Sequence, residues 1–384
     1  MRIRNWITRD ITGATEVSAD IDDFRLWYRV PASIPVVRSG DPFLAAALLP
    51  AMAKGETLVV DPGLTVSPKL LENIALLQEI HHCWNPELKI VPISAETAPA
   101  KPLNEGAFSF FSGGVDSMYT FLKREAEISH AVFIHGFDFF ADQGSFQRAV
   151  ERNAGFVRGF GKTLIPVETN FYRFGYSHNL SRILTQGSTL GSVALLLGFS
   201  RAFIPSSADY GCIIPYGSHP LTDPLFSNEG VEVIHDGLEA QRIEKTLRIA
   251  ASEPVLANLA VCVEDMNVNC GNCAKCLRTM TTLELSGKAP ASFPWPLSFR
   301  AIRRVDWSHE LNLLEQNIDF AARSGTGGRK LSRVLRARRR GYERFELLKE
   351  IDRVLLGGIV KKTLRKFAKG VPPARRIGVI PPKD

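Results

Sequence analysis

Between Ala107 and about Gly287, short apolar runs alternate with longer stretches of helical periodicity. That rhythm predicts a parallel α/β sheet. Residues 108–111, 131–136, 163–167, 203–205 and 231–237 read as successive strands, with helices over 146–161 and 190–202. Upstream, residues 24–30 alternate like a half-buried strand, and 58–60 and 88–92 read as two short ones. Residues 43–52 form an Ala-rich apolar helix. Ser67 and Pro68 are a cap and first-turn pair for another, whose stripe is Leu70, Leu71, Ile74, Leu77 and Ile80. Residues 1–100 are therefore expected to form an N-terminal α/β accessory domain. Pro99 and Pro102 mark a linker, and the sheet domain follows over 107–290. From 291 the chain reads as a helical, basic C-terminal region. It holds a helix over 307–323, a flexible break at 324–328, and an amphipathic helix with Leu347, Leu348, Ile351 and Leu355 on one face.

Charge changes this picture only at one end. The 384 residues carry a net +7, yet 329–384 alone hold eighteen Lys and Arg against five Asp and Glu. A mildly acidic body thus carries a basic segment. Nucleic acid, anionic lipid or an acidic protein each suits such a segment, and so does a plain solubilising helix. No apolar run nears the roughly 20 residues of a membrane span. The first residues show no apolar leader core, so the cytoplasm is the expected location. Nothing in the sequence opposes a homodimer.

The first chemical signal is Ser112-Gly113-Gly114-Val115-Asp116-Ser117, between an apolar strand and the helical run Met118, Tyr119, Phe121, Leu122. Strand, glycine turn and helix start form a cradle for phosphate: amides point into the loop and the helix dipole favours an anion. Gly113 and Gly114 allow close backbone approach, and Ser112 and Ser117 add hydroxyls. Asp116 would orient the loop or hold Mg²⁺ beside a nucleotide. The Walker A pattern is absent.

The second signal is Cys262, Cys270, Cys273 and Cys276. Four thiolates at this spacing close a tetrahedron around Zn²⁺ and leave no position for water, which makes the site structural. An iron–sulfur cluster also takes four cysteines. His81, His82 and Cys83 are adjacent, cannot face one point on a helix, and read as an exposed helix end.

The Ser-Gly-Gly-x-Asp-Ser loop resembles that of the PP-loop ATP pyrophosphatases, and the loop plus cysteine set resembles the 7-cyano-7-deazaguanine synthases of queuosine biosynthesis over about residues 107–287. The resemblance implies a Rossmann-like, adenine nucleotide alpha hydrolase-like fold that cleaves ATP to AMP and pyrophosphate. It implies Mg²⁺ and Zn²⁺, a carboxylate substrate such as a deazapurine acid, and ammonia as the nucleophile. Residues 112–117 would hold pyrophosphate, His135 and Gly136 would lie near the adenosine, and Asp116 would shape the loop. On spacing alone, Arg242 and Lys245 share a helix face that suits either a phosphate or solvent. The resemblance assigns Lys245 to the phosphates. His135 is also readable as a structural histidine.

The chain departs from the synthases in several places. About a hundred residues precede the loop, the first cysteine gap is one residue short, and Gly187-Ser188 stand where the family has Arg-Asn. His135-Gly136-Phe137-Asp138-Phe139 replaces Tyr-Gly-Gln-Arg-His. The resemblance therefore reaches the nucleotide chemistry more firmly than the deazapurine. Two rivals stand beside it. One is a PP-loop tRNA-modifying enzyme, whose catalytic cysteines would have to be Cys83 and Cys212. The other is a nucleotide-binding protein without catalysis, of the kind synthase-like chains in anti-phage defence suggest.

Overall fold

The protein, seen here as a computed structural model, is described over residues 1–136, 142–307, 310–355 and 377–379. It divides into two compact units. The first spans Met1–Gln241 and takes in 377–379; the second begins at Arg242 and is described as far as Leu355.

Among the described residues, ten strands of the first unit form one sheet. They are β1 (Arg2–Ile11), β2 (Ala14–Ile21), β3 (Phe24–Pro31), β4 (Leu58–Val60), β5 (Ile93–Ser94), β6 (Asn104–Phe110), β7 (His130–His135), β8 (Thr163–Thr169), β9 (Phe199–Pro205) and β10 (Glu232–Asp236). Their spatial order is β10-β9-β6-β7-β8-β3-β2-β1-β4-β5. The half from β10 to β8 is parallel throughout. Antiparallel pairing of β3 with β8, through Tyr28–Thr169 and Arg29–Glu168, joins it to the N-terminal strands. The linker-like run 98–106 therefore does not interrupt the sheet. In the parallel half the chain runs β6, β7, β8 in one direction, then returns to place β9 and β10 on the other side of β6. This is the doubly wound, Rossmann-like order, and its switch point lies between β6 and β9.

Among the described residues, six helices of this unit cover the sheet: α1 (Asp41–Lys54), α2 (Pro68–Trp84), α3 (Val115–Lys123), α4 (Gln143–Gly159), α5 (Phe171–Ser177) and α6 (Gln186–Leu197). On one face α1 packs on α6 above Phe108, Phe110 and Phe199. Both helices are apolar nearly all round, as befits helices buried on more than one side. On the other face Phe111 stacks on Phe156 of α4, with ring centroids 5.6 Å apart, and meets Phe121 of α3.

The second unit is helical: α7 (Arg242–Ile249), α8 (Glu253–Asn258), α9 (Ala274–Leu285), α10 (Phe299–Arg304), α11 (Leu311–Arg323) and α12 (Gly325–Leu355). Helix α9 packs against α7, α10 and α11, and α12 lies along α10 and α11. Buried Arg278 on α9 pairs with Glu310 at 2.8 Å.

Several local expectations change. Residues 88–92 are not a strand: Leu88 closes a turn by donating its N–H to Asn85 O, residues 89–92 are irregular, and Lys89 N reaches Met52 O to close the end of α1. The helix expected over 190–202 stops at Gly198, whose φ of +61° ends it and opens β9. Of the break expected at 324–328 only Ser324 lies between helices; residues 325–328 are the first turn of α12, drawn so tightly onto α11 that a Cβ at Gly328 would overlap the Ala321 carbonyl. His81 is buried rather than exposed, while Cys83 on the next turn edge faces solvent. Finally, Ile377 forms a parallel bridge with Leu180, and its N–H donates to Asn179 O at 2.9 Å. Asn85 Nδ2 donates to Gly378 O, and Val379 enters the core of the first unit. The basic run Lys361, Lys362, Arg365 and Lys366 lies outside the described residues.

Candidate functional site

The switch point is occupied by the glycine turn. Strand β6 ends at Phe110, Phe111 N donates to Val132 O of β7, and α3 starts at Val115. Gly113 turns the chain with φ +81°, a conformation that favours glycine. Gly114 caps the helix in an extended conformation, and Met118 N returns to its carbonyl as the first helical bond. The two serines brace the turn. Ser117 Oγ accepts from Ser112 N at 3.2 Å and donates to Gly114 O at 3.0 Å, and Ser112 Oγ accepts from Gly114 N at 3.3 Å. Val115 and Ser117 are buried, and Ser112 opens to solvent. Asp116 lies in the first turn of α3, where the helix dipole favours a carboxylate. The turn is thus rigid, and its helix start offers the first-turn amides that lack intrahelical partners.

The far end of α3 is clamped in a way the sequence pattern did not disclose. The buried carboxylate of Asp236, last residue of β10, accepts from Thr120 Oγ1 (3.0 Å), Lys123 Nζ (3.0 Å) and the Arg124 guanidinium (2.7 and 2.9 Å). Arg124 also binds Glu127, which pairs with Arg201 of β9. This network fixes the helix that carries the turn.

Across the switch point stands the loop after β9. Ser206 N donates to Asp236 O, Asp209 Oδ1 accepts from Gly211 N, and Tyr210 N is held by Leu238 O, leaving the Tyr210 ring exposed. Next to it, Asp223 is fully buried and gathers Ser218 Oγ (2.7 Å), His219 N (3.2 Å) and His235 Nδ1 (2.7 Å). Asp223 and His235 are twelve residues apart with no telling spacing, so only the fold reveals the pair. The same loop explains Gly187: its N–H donates to Gly217 O at 3.1 Å, and a Cβ there would fall on that carbonyl. No side chain has room at this position.

At the end of β7, Gly136 adopts φ +81° and its carbonyl accepts from Tyr172 N. The His135 ring stacks on Phe146 with centroids 4.3 Å apart, and its Nδ1 is 3.6 Å from Glu168. The imidazole holds the Glu168 carboxyl below its usual range. These contacts make His135 a packed residue of the strand end. Phe137, Asp138 and Phe139 lie outside the described residues. Lys245 and Arg242 belong to the second unit, on α7; Lys245 is 1% exposed and Arg242 is buried beside it. Neither is the solvated residue a charged surface helix would carry.

The second unit brings the four cysteines together. The Sγ atoms of Cys262, Cys270, Cys273 and Cys276 all lie within 4.8 Å of one another, and two pairs are 4.0 Å apart. Four bonds of ~2.3 Å to one tetrahedral zinc place sulfurs about 3.8 Å apart. A disulfide needs about 2.05 Å. A four-iron cluster gives each thiolate its own iron and must spread them further. The cage therefore could hold one metal ion such as zinc. Backbone N–H groups of Glu264, Asn272 and Cys273 point at the sulfurs, and Gly271 turns at φ +67° against Pro294. Cys276 N donates to Cys273 Sγ at 3.5 Å, and the neighbouring Cys276 side chain pulls Cys273 down to about 4 while Cys276 itself is pushed up. Metal binding requires the thiolate form; it is favoured at Cys273 and opposed at Cys270, where burial raises the thiol, and at Cys276, where the Cys273 side chain and then burial raise it.

Fold and site together define an α/β protein with a largely parallel, Rossmann-like sheet, a hydrogen-bonded glycine turn at its switch point, and a four-cysteine cage that could hold a metal. No protein-family model matches the chain, and no curated protein or solved structure matches it. Among the described residues, no helix is long and apolar enough to cross a membrane.

Proposed function

We propose that the protein is an ATP-dependent adenylating ligase of the PP-loop kind, resembling 7-cyano-7-deazaguanine synthase. One observation carries the reading: a rigid Ser-Gly-Gly-x-Asp-Ser turn at the switch point of a doubly wound sheet, where ligands of such sheets bind. In the proposed reaction, a substrate carboxylate oxygen attacks the α-phosphorus of ATP and pyrophosphate leaves. Ammonia or an amine then attacks the acyl carbon, AMP departs, and an amide forms, which a second round could carry to a nitrile. Residues 112–117 would cradle the pyrophosphate with amides and hydroxyls, stabilising charge where it develops. Asp116 would hold the loop's polar end, with Mg²⁺ supplying charge neutralisation when bound. The resemblance assigns Lys245 to the leaving pyrophosphate. The cysteine cage has a structural role, because four thiolates leave no site for a reacting ligand.

Product analysis tests this. Incubation with ATP and candidate carboxylates should yield AMP and pyrophosphate. Asp116→Ala and Ser117→Ala should lower the rate by at least about 100-fold, the scale of lost transition-state donors, with unchanged circular dichroism. ADP and phosphate as products would overturn the reading.

A further inference from the structure

The outer face of α12 carries a surface that the catalytic reading does not use. Arg329, Arg333, Arg336, Arg340 and Arg344 are all exposed. Their spacing of four, three, four and four residues keeps them within one narrow stripe of a helix turning about 100° per residue. The stripe runs about 22 Å, at 1.5 Å per residue. The opposite face of the same helix is covered, with Leu331, Val334 and Leu335 buried. The nearby acids do not neutralise the stripe. Glu315 and Glu343 pair with Arg339, one position off it. Among the described residues, none of the five has a hydrogen bond or ion pair.

The same line then changes character. Leu347, Ile351 and Val354 continue it at steps of three, four and three, with Leu348 and Leu355 at its edge. These five are between 40% and 74% exposed. A single exposed leucine is ordinary, but a contiguous row at the end of a cationic stripe marks an interaction surface. The sequence beyond repeats the charge: residues 361–376 hold seven Lys and Arg and no acid, as do 329–340.

A straight row of five unpaired guanidinium groups fits an extended polyanion rather than a small ligand. Of the three partners that suit this segment, the nucleic acid backbone and an anionic bilayer present regularly repeated phosphates, which guanidinium groups pair with bidentately, whereas an acidic protein offers no such array. The aliphatic end decides between them. Single-stranded nucleic acid rewards aromatic platforms, and a duplex rewards charge above all. On a duplex, leucine or isoleucine enters only as a single wedge between base steps, so a row of five aliphatic side chains gains little there, whereas a lipid interface takes up the whole row. We propose that this face of α12 docks on an anionic lipid bilayer, with the arginines at the headgroup phosphates and the aliphatic end entering the interface.

The test uses the full chain with vesicles of phosphatidylcholine and of phosphatidylcholine mixed with phosphatidylglycerol. The protein should sediment with the anionic vesicles only, and less so as salt rises. Arg336→Gln and Arg340→Gln should each weaken binding roughly five-fold, the worth of one basic residue near an anionic surface. Ile351→Asp and Leu355→Asp should remove the binding that survives high salt, with the melting temperature unchanged because these side chains are exposed. Equal binding to both vesicles, or none, overturns the proposal. Preferential capture of a duplex or single-stranded oligonucleotide, sensitive to the arginines and indifferent to Ile351→Asp, assigns the row to nucleic acid instead. A dimer abolished by Ile351→Asp, with no vesicle binding, assigns it to self-association.

Discussion

His81 and Asp41 are two buried titrating groups whose effects on stability oppose each other. Burial first, then the neighbouring His219 imidazole, pulls His81 down to about 4. Between about pH 6.5 and 4 the unfolded chain therefore binds a proton at 81 that the folded chain refuses, and stability falls as pH falls. Burial pushes Asp41 up to about 6, against hydrogen bonds from Ser67 N and Asn228. Between about pH 6 and 4 the folded chain keeps a proton there that the unfolded chain has released, so stability rises as pH falls. Each gap is worth about 3 kcal/mol, so the two nearly cancel. His81→Gln should become more stable relative to wild type as pH drops from 6 to 4, and Asp41→Asn less stable. Urea unfolding at both pH values checks this, and parallel shifts in the two variants would refute it. None of this was legible in the sequence. His81 sits in a His-His-Cys run that looks like a frayed helix end, and only the packing of Trp84 and His219 around it shows otherwise.

At the scale of elements, legibility followed how local the determinants were. The β6 turn, the Ser67 cap and the cysteine set are spelled in adjacent residues, and Leu70 N does donate to Ser67 Oγ. The hairpin of β1 and β2 was missed because β1 is mostly exposed and is broken by an irregularity between Arg4 and Ile7, so it shows no clean alternation. Residues 88–92 misled in the other direction: Leu88 and Val91 are buried, yet Lys89 N closes the end of α1 and Val91 bonds the Gln78 side chain of α2 instead of joining a ladder. The cysteine loop has two supports. Apart from the sulfurs, Asn269 bonds Val261 N, Leu259 O and Ser292 O, each at 2.8 Å. Cys270→Ser should therefore lose the metal without unfolding the unit. Elemental analysis should fall from one zinc per chain, and proteolysis should newly cut within 262–272. The lost linkage is well below the ~10 kcal/mol of small zinc domains. Full helix loss by circular dichroism would show that the metal holds the whole unit.

At the scale of the molecule, the chain leaves the first unit after Gln241 and comes back to it at Ile377. Residues 377–379 are therefore held by the first unit. Deleting 376–384 should remove the Val379 side chain from the core, about 1.5–3 kcal/mol for a fully buried apolar residue, and three hydrogen bonds to Asn179, Ser181 and Asn85. The melting temperature of the first unit should drop by several degrees, and the 178–185 segment should become protease-sensitive. An unchanged melt would mean that the returning residues contribute nothing.

That return also orders events on the ribosome. The strands and helices of the first unit are synthesised first, but a piece of their core is encoded about 140 residues later. At bacterial-to-eukaryotic elongation speeds of roughly 5–20 residues per second, the nascent unit waits about 7–30 s for it. During that interval Leu180 and Asn85 lack Ile377 and Gly378, so premature termination after the second unit would damage the first unit although residues 1–241 are complete.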